Sequence, residues 1–311
     1  MAIERERPAD YANVGALVVG EALVDEVDNG RGTVAHAGGS PYNVAIGLAR
    51  LGVPTLLHTA FGDDDRGALL REHAAASGVA LTEESLTDGI TSFARAVIDR
   101  TGAASYDFTV TWRPSPLELV AIPPLVHVGS IAAVMPPGSD LVADVVAELR
   151  PTSLISLDPN VRPQLIAEKE DARARLEGLI DLADLIKVSD EDLEWLYPGK
   201  DVEETAADWL GRGPDLVVVT RGRHGATGFS QWGVHDSTPI ETEVVDTIGA
   251  GDSFTAGLLS GLMTAGAAAH LGRLARLAVE QIEEALSFAT RCAAVTVSRA
   301  GSQPPWKNEL D

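Results

Sequence analysis

The chemistry of this sequence centres on Asp252. It closes the run Asp246-Thr-Ile-Gly249-Ala250-Gly251-Asp252, which leads from an extended stretch through a turn of small residues into a helical pattern. The first N–H groups of a helix have no partner within it, and small residues let an anion approach them closely. A carboxylate at the same point can accept the proton of an attacking hydroxyl while the amides stabilise charge on a transferring phosphoryl group. The competing structural reading is that Asp252 or Ser253 merely caps the helix, a position both residue types favour.

Other segments supply polar groups in positions that suit a ligand. Gly38 and Gly39 precede a second helical pattern that begins near Asn43, and a glycine pair exposes backbone N–H groups to a polar molecule. Asn43 can donate and accept, as a sugar hydroxyl requires, and Asp25 can accept from two hydroxyls. Taken alone, Gly-Gly is more often a turn. Thr220-Arg-Gly222-Arg-His-Gly225 follows an apolar run, where a nucleotide commonly sits at the carboxyl ends of strands. Asp158-Pro-Asn160-Val-Arg162-Pro follows another such run, so Asn160 and Arg162 are expected to point into the same crevice, although a structural turn explains the prolines equally well. Ser189-Asp190-Glu191-Asp192 opens a helix with three carboxylates. These are ordinary partners of the helix dipole, and one of them can help to hold hydrated magnesium.

Several function classes are excluded or disfavoured. Gly-x-Gly-x-x-Gly and Gly-Lys-Ser/Thr are both missing, which argues against a nicotinamide oxidoreductase and a Walker-type NTPase. The seven histidines show no ligand spacing, and no Ser/His/Asp order stands out. With 46 acidic and 24 basic residues, the formal charge of −22 opposes binding to nucleic acid. The only cysteine, Cys292, permits no intramolecular disulfide and is expected to be a small buried apolar residue. No run is long and apolar enough to span a bilayer. The first ten residues are charged, read as a frayed tail rather than a secretory signal, and a cytoplasmic location follows by default.

Stepping outward, short apolar runs at Ala16–Val19, Thr55–His58, Leu125–Val128, Leu154–Leu157, Leu185–Val188 and Leu216–Val219 read as strands buried on both faces. Helical patterns lie between and after them, at 43–51, 65–77, 139–149, 170–183, 202–210, 253–265 and 273–298. The alternation predicts an α/β domain with a mainly parallel sheet covered by helices on both faces. Two segments break the rhythm, about 21–36 and 91–112. The second alternates through Phe93–Asp99, turns at Arg100–Ala103 and continues as Ser105–Val110, a hairpin pattern that suggests a small accessory sheet. The whole chain is expected to be a single domain with this flap appended.

Together these segments resemble the ribokinase/fructokinase (PfkB-type) carbohydrate kinases over about residues 14–305. Ala37-Gly-Gly-Ser-Pro-Tyr-Asn43 and Asp246-Thr-Ile-Gly-Ala-Gly-Asp252, in that order, carry the resemblance. It implies a Rossmann-like ribokinase fold with a β-lid, and ATP and Mg2+ as cofactor and metal. It implies Asp252 as catalytic base with the amides of Gly249, Ala250 and Gly251 as anion hole. Asp25, Gly38, Gly39, Asn43 and Arg162 fall at sugar-binding positions, and Lys187, Ser189, Thr220, Gly222 and Gly225 at nucleotide-binding ones. Asp192 and Glu191 are the candidates for ordering magnesium through water. Here the family's Asn-x-x-Glu element stands as Ser189-Asp-Glu-Asp192. The family often binds a monovalent cation such as K+, for which Asp246, Ile248, Ala300 and Ser302 are the candidates.

Gly20-Glu-Ala-Leu-Val-Asp25, Asp158-Pro-Asn-Val-Arg-Pro163 and Lys187-Val-Ser-Asp-Glu191 look like the fructokinase branch, which points to transfer onto the primary hydroxyl of fructose. Alternatives are 2-keto-3-deoxygluconate, whose carboxylate Arg162 would suit, a ribokinase-like substrate, and a catalytically silent sugar-binding regulator. Lids of this family often mediate dimers. The strand Phe93–Asp99 offers an edge for a homodimer, while its apolar side equally suits covering the sugar.

Overall fold

The computed structural model describes residues 14–28, 32–98, 104–267 and 274–310. The expected N-terminal tail, the lid turn at 100–103 and the start of the last helix at 273 lie outside them. The chain runs through β1 (Ala16–Val19), β2 (Leu23–Asp28), β3 (Thr33–Gly38), α1 (Ser40–Arg50), β4 (Thr55–His58), β5 (Phe61–Gly62), α2 (Asp65–Ala76), β6 (Val79–Leu81), β7 (Leu86–Thr87), β8 (Phe93–Ile98) and β9 (Ala104–Thr109). It continues through β10 (Leu125–Gly129), α3 (Ser130–Val134), α4 (Gly138–Leu149), β11 (Leu154–Asp158), α5 (Lys169–Ile180), β12 (Leu185–Ser189), α6 (Asp190–Leu196), α7 (Val202–Leu210), β13 (Leu216–Thr220), β14 (Ala226–Ser230), β15 (Gly233–Ser237), α8 (Ala250–Thr264) and α9 (Val279–Val297).

The main sheet has nine strands in the order β15-β14-β13-β12-β11-β10-β1-β4-β6. It is parallel from β13 to β6, because each of those strands is a run of apolar residues that needs cover on both faces. Alternate residues divide between two cores. Ala16 and Val18 of β1 join α1, α8 and α9 on one face, and Leu17 and Val19 join α4, α5 and α7 on the other. The two antiparallel additions, β14 and β15, are absent from the sequence reading, since Ala-Thr-Gly-Phe-Ser and Gly-Val-His-Asp-Ser carry too few branched residues to read as strands.

From β1 the chain builds outward to β4 and β6, then returns to lay β10 on the other side of β1. The strand order reverses between β1 and β10, and a crevice opens at the carboxyl ends of strands around such a reversal. Above it sits a separate four-stranded sheet, β3-β2-β8-β9, made from the two segments that broke the helix–strand rhythm. Its hairpin pairs Phe93 with Thr109 through Ile98 with Ala104.

Helices α8 and α9 pack closely because glycine faces the contact. A Cβ at Gly257 would lie 2.8 Å from Ala289 Cα and 2.9 Å from Cys292 Sγ. Cys292 is fully buried there, and burial pushes its thiol up to about 12.

Candidate active site

The N-terminus of α8 lies at this crevice. Gly249 is the residue before the helix, in left-handed backbone (φ 75°), and no side chain caps the helix. The capping reading of Asp252 and Ser253 is therefore excluded. Ser253 Oγ instead accepts from Thr296 on α9 at 2.8 Å. Asp252, only 7% exposed, accepts from Ser40 Oγ at 2.7 Å and from Asn43 Nδ2 at 2.8 Å, both on α1. Asn160 Nδ2 approaches the same carboxylate at 3.4 Å and Ser40 Oγ at 2.6 Å, and Arg162 donates to Asn160 Oδ1 at 2.7 Å. Burial raises the Asp252 carboxyl, and the Ser40 and Asn43 hydrogen bonds pull it back. The result is a dry carboxylate held by neutral donors, beside a helix N-terminus whose Ala250 N–H reaches only the Thr247 carbonyl oxygen, at 3.3 Å.

Behind the turn lies a charge that the sequence reading placed elsewhere. Lys187, expected to touch the nucleotide, is buried and pairs with Asp158 Oδ2 at 3.0 Å. A Cβ at Gly251 would stand 3.2 Å from its Nζ, so the ammonium sits directly beneath the small-residue turn. Burial works against its charge, but Asp158, Asp192 and Asp252 outweigh that and hold it above the ordinary lysine range. Asp158 Oδ1 is buried with no hydrogen-bond partner.

Two cavities meet at the turn, sharing Thr247 and Gly251. The first, about 360 Å³, lies under the lid and is lined by Asp25, Gly39, Asn43, Asn160, Arg162 and Asp252, with Phe108 and Ala94 from the lid strands. Burial raises Asp25, against the pull of His36 and Arg162. Gly38 is a glycine because Asp25 Oδ2 occupies the space a Cβ would take. Asn160 and Arg162 thus face this cavity rather than the one beyond β13, because Asn160, in left-handed backbone (φ 37°), turns the chain towards α1.

The second cavity, about 600 Å³, is mostly apolar and runs from the turn to Thr220, Gly222 and Gly225 at the end of β13. Its other walls come from the 239–244 loop and from Thr290, Ala293, Ala294 and Val297 of α9. Nothing in the sequence marked those α9 residues, which read as an ordinary apolar helix face.

Ser189 and Asp192 line neither cavity. Ser189 caps α6 in a reciprocal box with Asp192, whose Oδ1 also accepts from Val161 N at 2.8 Å. Both Asp192 oxygens are engaged, Glu191 is exposed, and among the described residues no three His, Cys, Asp or Glu side chains gather as a metal cage. Asp246 accepts from Ile248 N at 3.0 Å and Gly301 N at 2.8 Å, which hold it below the usual carboxylate range. That ties the turn to the Ala300–Ser302 segment. Ser302 Oγ is buried there without a partner, packed where a Cβ of Gly249 would be.

Comparison with known proteins agrees over almost the whole chain. The profile of the pfkB family carbohydrate kinases matches residues 14–309. A fructokinase of Rhizobium leguminosarum bv. trifolii is 34% identical over 259 residues, 79% of each chain. A fructokinase of Klebsiella pneumoniae is 33% identical over 306 residues, 94% of this chain and 97% of its own. Among solved structures, a double mutant of the Vibrio cholerae O395 fructokinase, with fructose, ADP and potassium ion bound, superposes with a TM-score of 0.79. It is 26% identical and covers 96% of this chain and 97% of its own.

Proposed function

The chain belongs to the pfkB family of carbohydrate kinases, and from that membership we propose that it is an ATP-dependent fructokinase, which makes fructose 6-phosphate and ADP. The observation that carries this reading is the position of Asp252, a buried carboxylate at an uncapped helix N-terminus where the cavity under the lid meets a larger, mostly apolar one. The fructokinase relatives, and the fructose and ADP bound in the Vibrio protein, support fructose and an adenine nucleotide as occupants of the two cavities.

In this reading fructose sits under the lid, with Asp25, Gly39, Asn43 and Arg162 bonding its hydroxyls. Its primary hydroxyl faces Asp252, which takes the proton as that oxygen bonds to the γ-phosphorus and the bond from phosphorus to the bridging oxygen breaks, releasing ADP. The amides of Gly249, Ala250 and Gly251 stabilise the charge on the phosphoryl oxygens. Thr220, Gly222 and Gly225 hold the nucleotide. Magnesium would come bound to the ATP phosphates and would neutralise part of their charge, with Glu191 or Asp192 holding it through water. The unpartnered Ser302 Oγ and the Asp246 turn, with Ile248 and Ala300, suit a monovalent cation such as potassium.

The described residues are read as one kinase domain with its lid. A homodimer through that lid is part of the same reading, supported by the exposed apolar pair Val27 and Val34 on β2 and β3. A cytoplasmic location fits the need for ATP.

The test is ADP release in the presence of magnesium with fructose, ribose or 2-keto-3-deoxygluconate. Fructose should give a kcat/KM at least tenfold above the others. A preference for 2-keto-3-deoxygluconate would assign Arg162 to its carboxylate instead, and no sugar-dependent ADP release would make the chain a silent binder.

A further inference from the structure

Glu21 has no part in the reaction described above, yet it occupies the point where the strand order reverses. It follows β1 and precedes the first lid strand, so it is the hinge between sheet and lid. Its side chain is 2% exposed and lines the sugar cavity. Its Oε2 accepts from the backbone N–H of Ala132 at 3.0 Å, across the gap between β1 and β10. Two residues before that contact, Ser130 has φ 55°, a left-handed conformation that is costly for a residue with a Cβ and persists only where its surroundings hold it. On its other side the sugar loop packs on the Glu21 backbone. A Cβ at Gly39 would lie 2.7 Å from the Glu21 carbonyl oxygen, and one at Gly20 would collide with Pro41.

We propose that Glu21 is a positioning residue for the sugar, a buried carboxyl that ties the lid hinge, the Gly38–Gly39 loop and the strained Ser130 turn into one frame. The frame fixes where Asp25, three residues along β2, meets the sugar. This assignment rests on the sugar-kinase reading of the cavity.

The carboxyl's environment gives the proposal a signature. Burial pushes Glu21 up to about 7, against its hydrogen bonds from Ser130 and Ala132 and the attraction of Arg162. The charged groups that share its cavity are Asp25 from β2, Arg162 from the loop after β11 and Asp252 from α8. A sugar bound under the lid removes the remaining water from the carboxyl and so disfavours its ionised form. Fructose binding is therefore strongest while Glu21 is protonated and weakens as the pH rises through 7.

The experiment is steady-state kinetics and fructose calorimetry on the wild-type protein, Glu21→Gln and Glu21→Ala at pH 6, 7 and 8, with thermal melting of each. Glu21→Ala should raise the fructose KM at least tenfold and leave the ATP KM within twofold. Glu21→Gln, a neutral isostere, should bind fructose within threefold of the wild-type protein at pH 6 and lose the weakening between pH 7 and 8. The proposal is overturned by a fructose KM within twofold of wild type in Glu21→Ala, or by an unchanged pH dependence in Glu21→Gln. If Glu21→Ala does not fold, the pH profile of Glu21→Gln decides. Absence of fructose-dependent ADP release by the wild-type protein would instead sink the sugar-kinase reading itself.

Discussion

The burial that raises the Asp252 carboxyl makes it a stronger base than an exposed aspartate, provided that something nearby keeps it ionised at working pH. Ser40 and Asn43 do part of this by hydrogen bonding, and Lys187 supplies the opposite charge from beneath. Lys187 does not act alone, because its partner Asp158 pushes Asp252 the other way. The pair should therefore behave as a unit. Lys187→Met leaves Asp158 and Asp252 without a counter-charge. It should move the acid limb of kcat/KM to higher pH and cost about 3–5 kcal/mol of stability, the usual penalty for stranding one partner of a buried pair. Removing both charges, in Lys187→Met with Asp158→Asn, should restore much of each. pH–rate profiles and thermal melts of the two variants check this. A single variant with an unshifted acid limb would separate Lys187 from Asp252.

At the scale of elements, the lid is the part that must hold Asp25 over the sugar, and it is clasped to the body through α2. Glu26 on β2, 7% exposed, is gripped by Arg66 of α2 and Arg95 of β8, each at 2.6 Å, and the Arg66 guanidinium lies 3.9 Å from the centre of the Phe93 ring. Next to it, Asp64 caps α2 and accepts from Thr91 just before β8. Arg66→Ala would leave the Glu26 carboxylate half-paired and the lid held by fewer contacts. We expect the fructose KM to rise severalfold with kcat within about threefold of wild type, as steady-state kinetics would show; a kcat loss with an unchanged KM would contradict the clasp.

The lid was legible from Phe93–Asp99 and Ser105–Val110 because alternation has no other common cause, and the central strands because long apolar runs need cover on both faces. The start of α6 was legible as a helix, but the role of its acids was obscured. Its Ser189-Asp-Glu-Asp192 start serves as a capping box, which in sequence looks the same as a cluster of metal-binding acids.

For the molecule as a whole, the reversal of strand order between β1 and β10 opens the crevice, and the approach of α8 to α1 and β12 brings residues 25, 40, 43, 160, 187 and 252 together from five separate segments. The glycine-rich turn and the Gly38–Gly39 loop announced themselves in the sequence, since their small residues serve close approach. Ser40, Glu21 and the Asp158–Lys187 pair did not. Their roles depend on which strands become neighbours, and no local pattern encodes that. The account stands on Asp252, which lines the lid-side cavity next to the Thr247 and Gly251 turn that the two cavities share. Its most direct test is fructose-dependent turnover of Asp252→Ala beside calorimetric fructose binding by the same variant. The account predicts a loss of turnover of about a thousandfold or more with fructose affinity within tenfold of wild type, and near-normal turnover would contradict it.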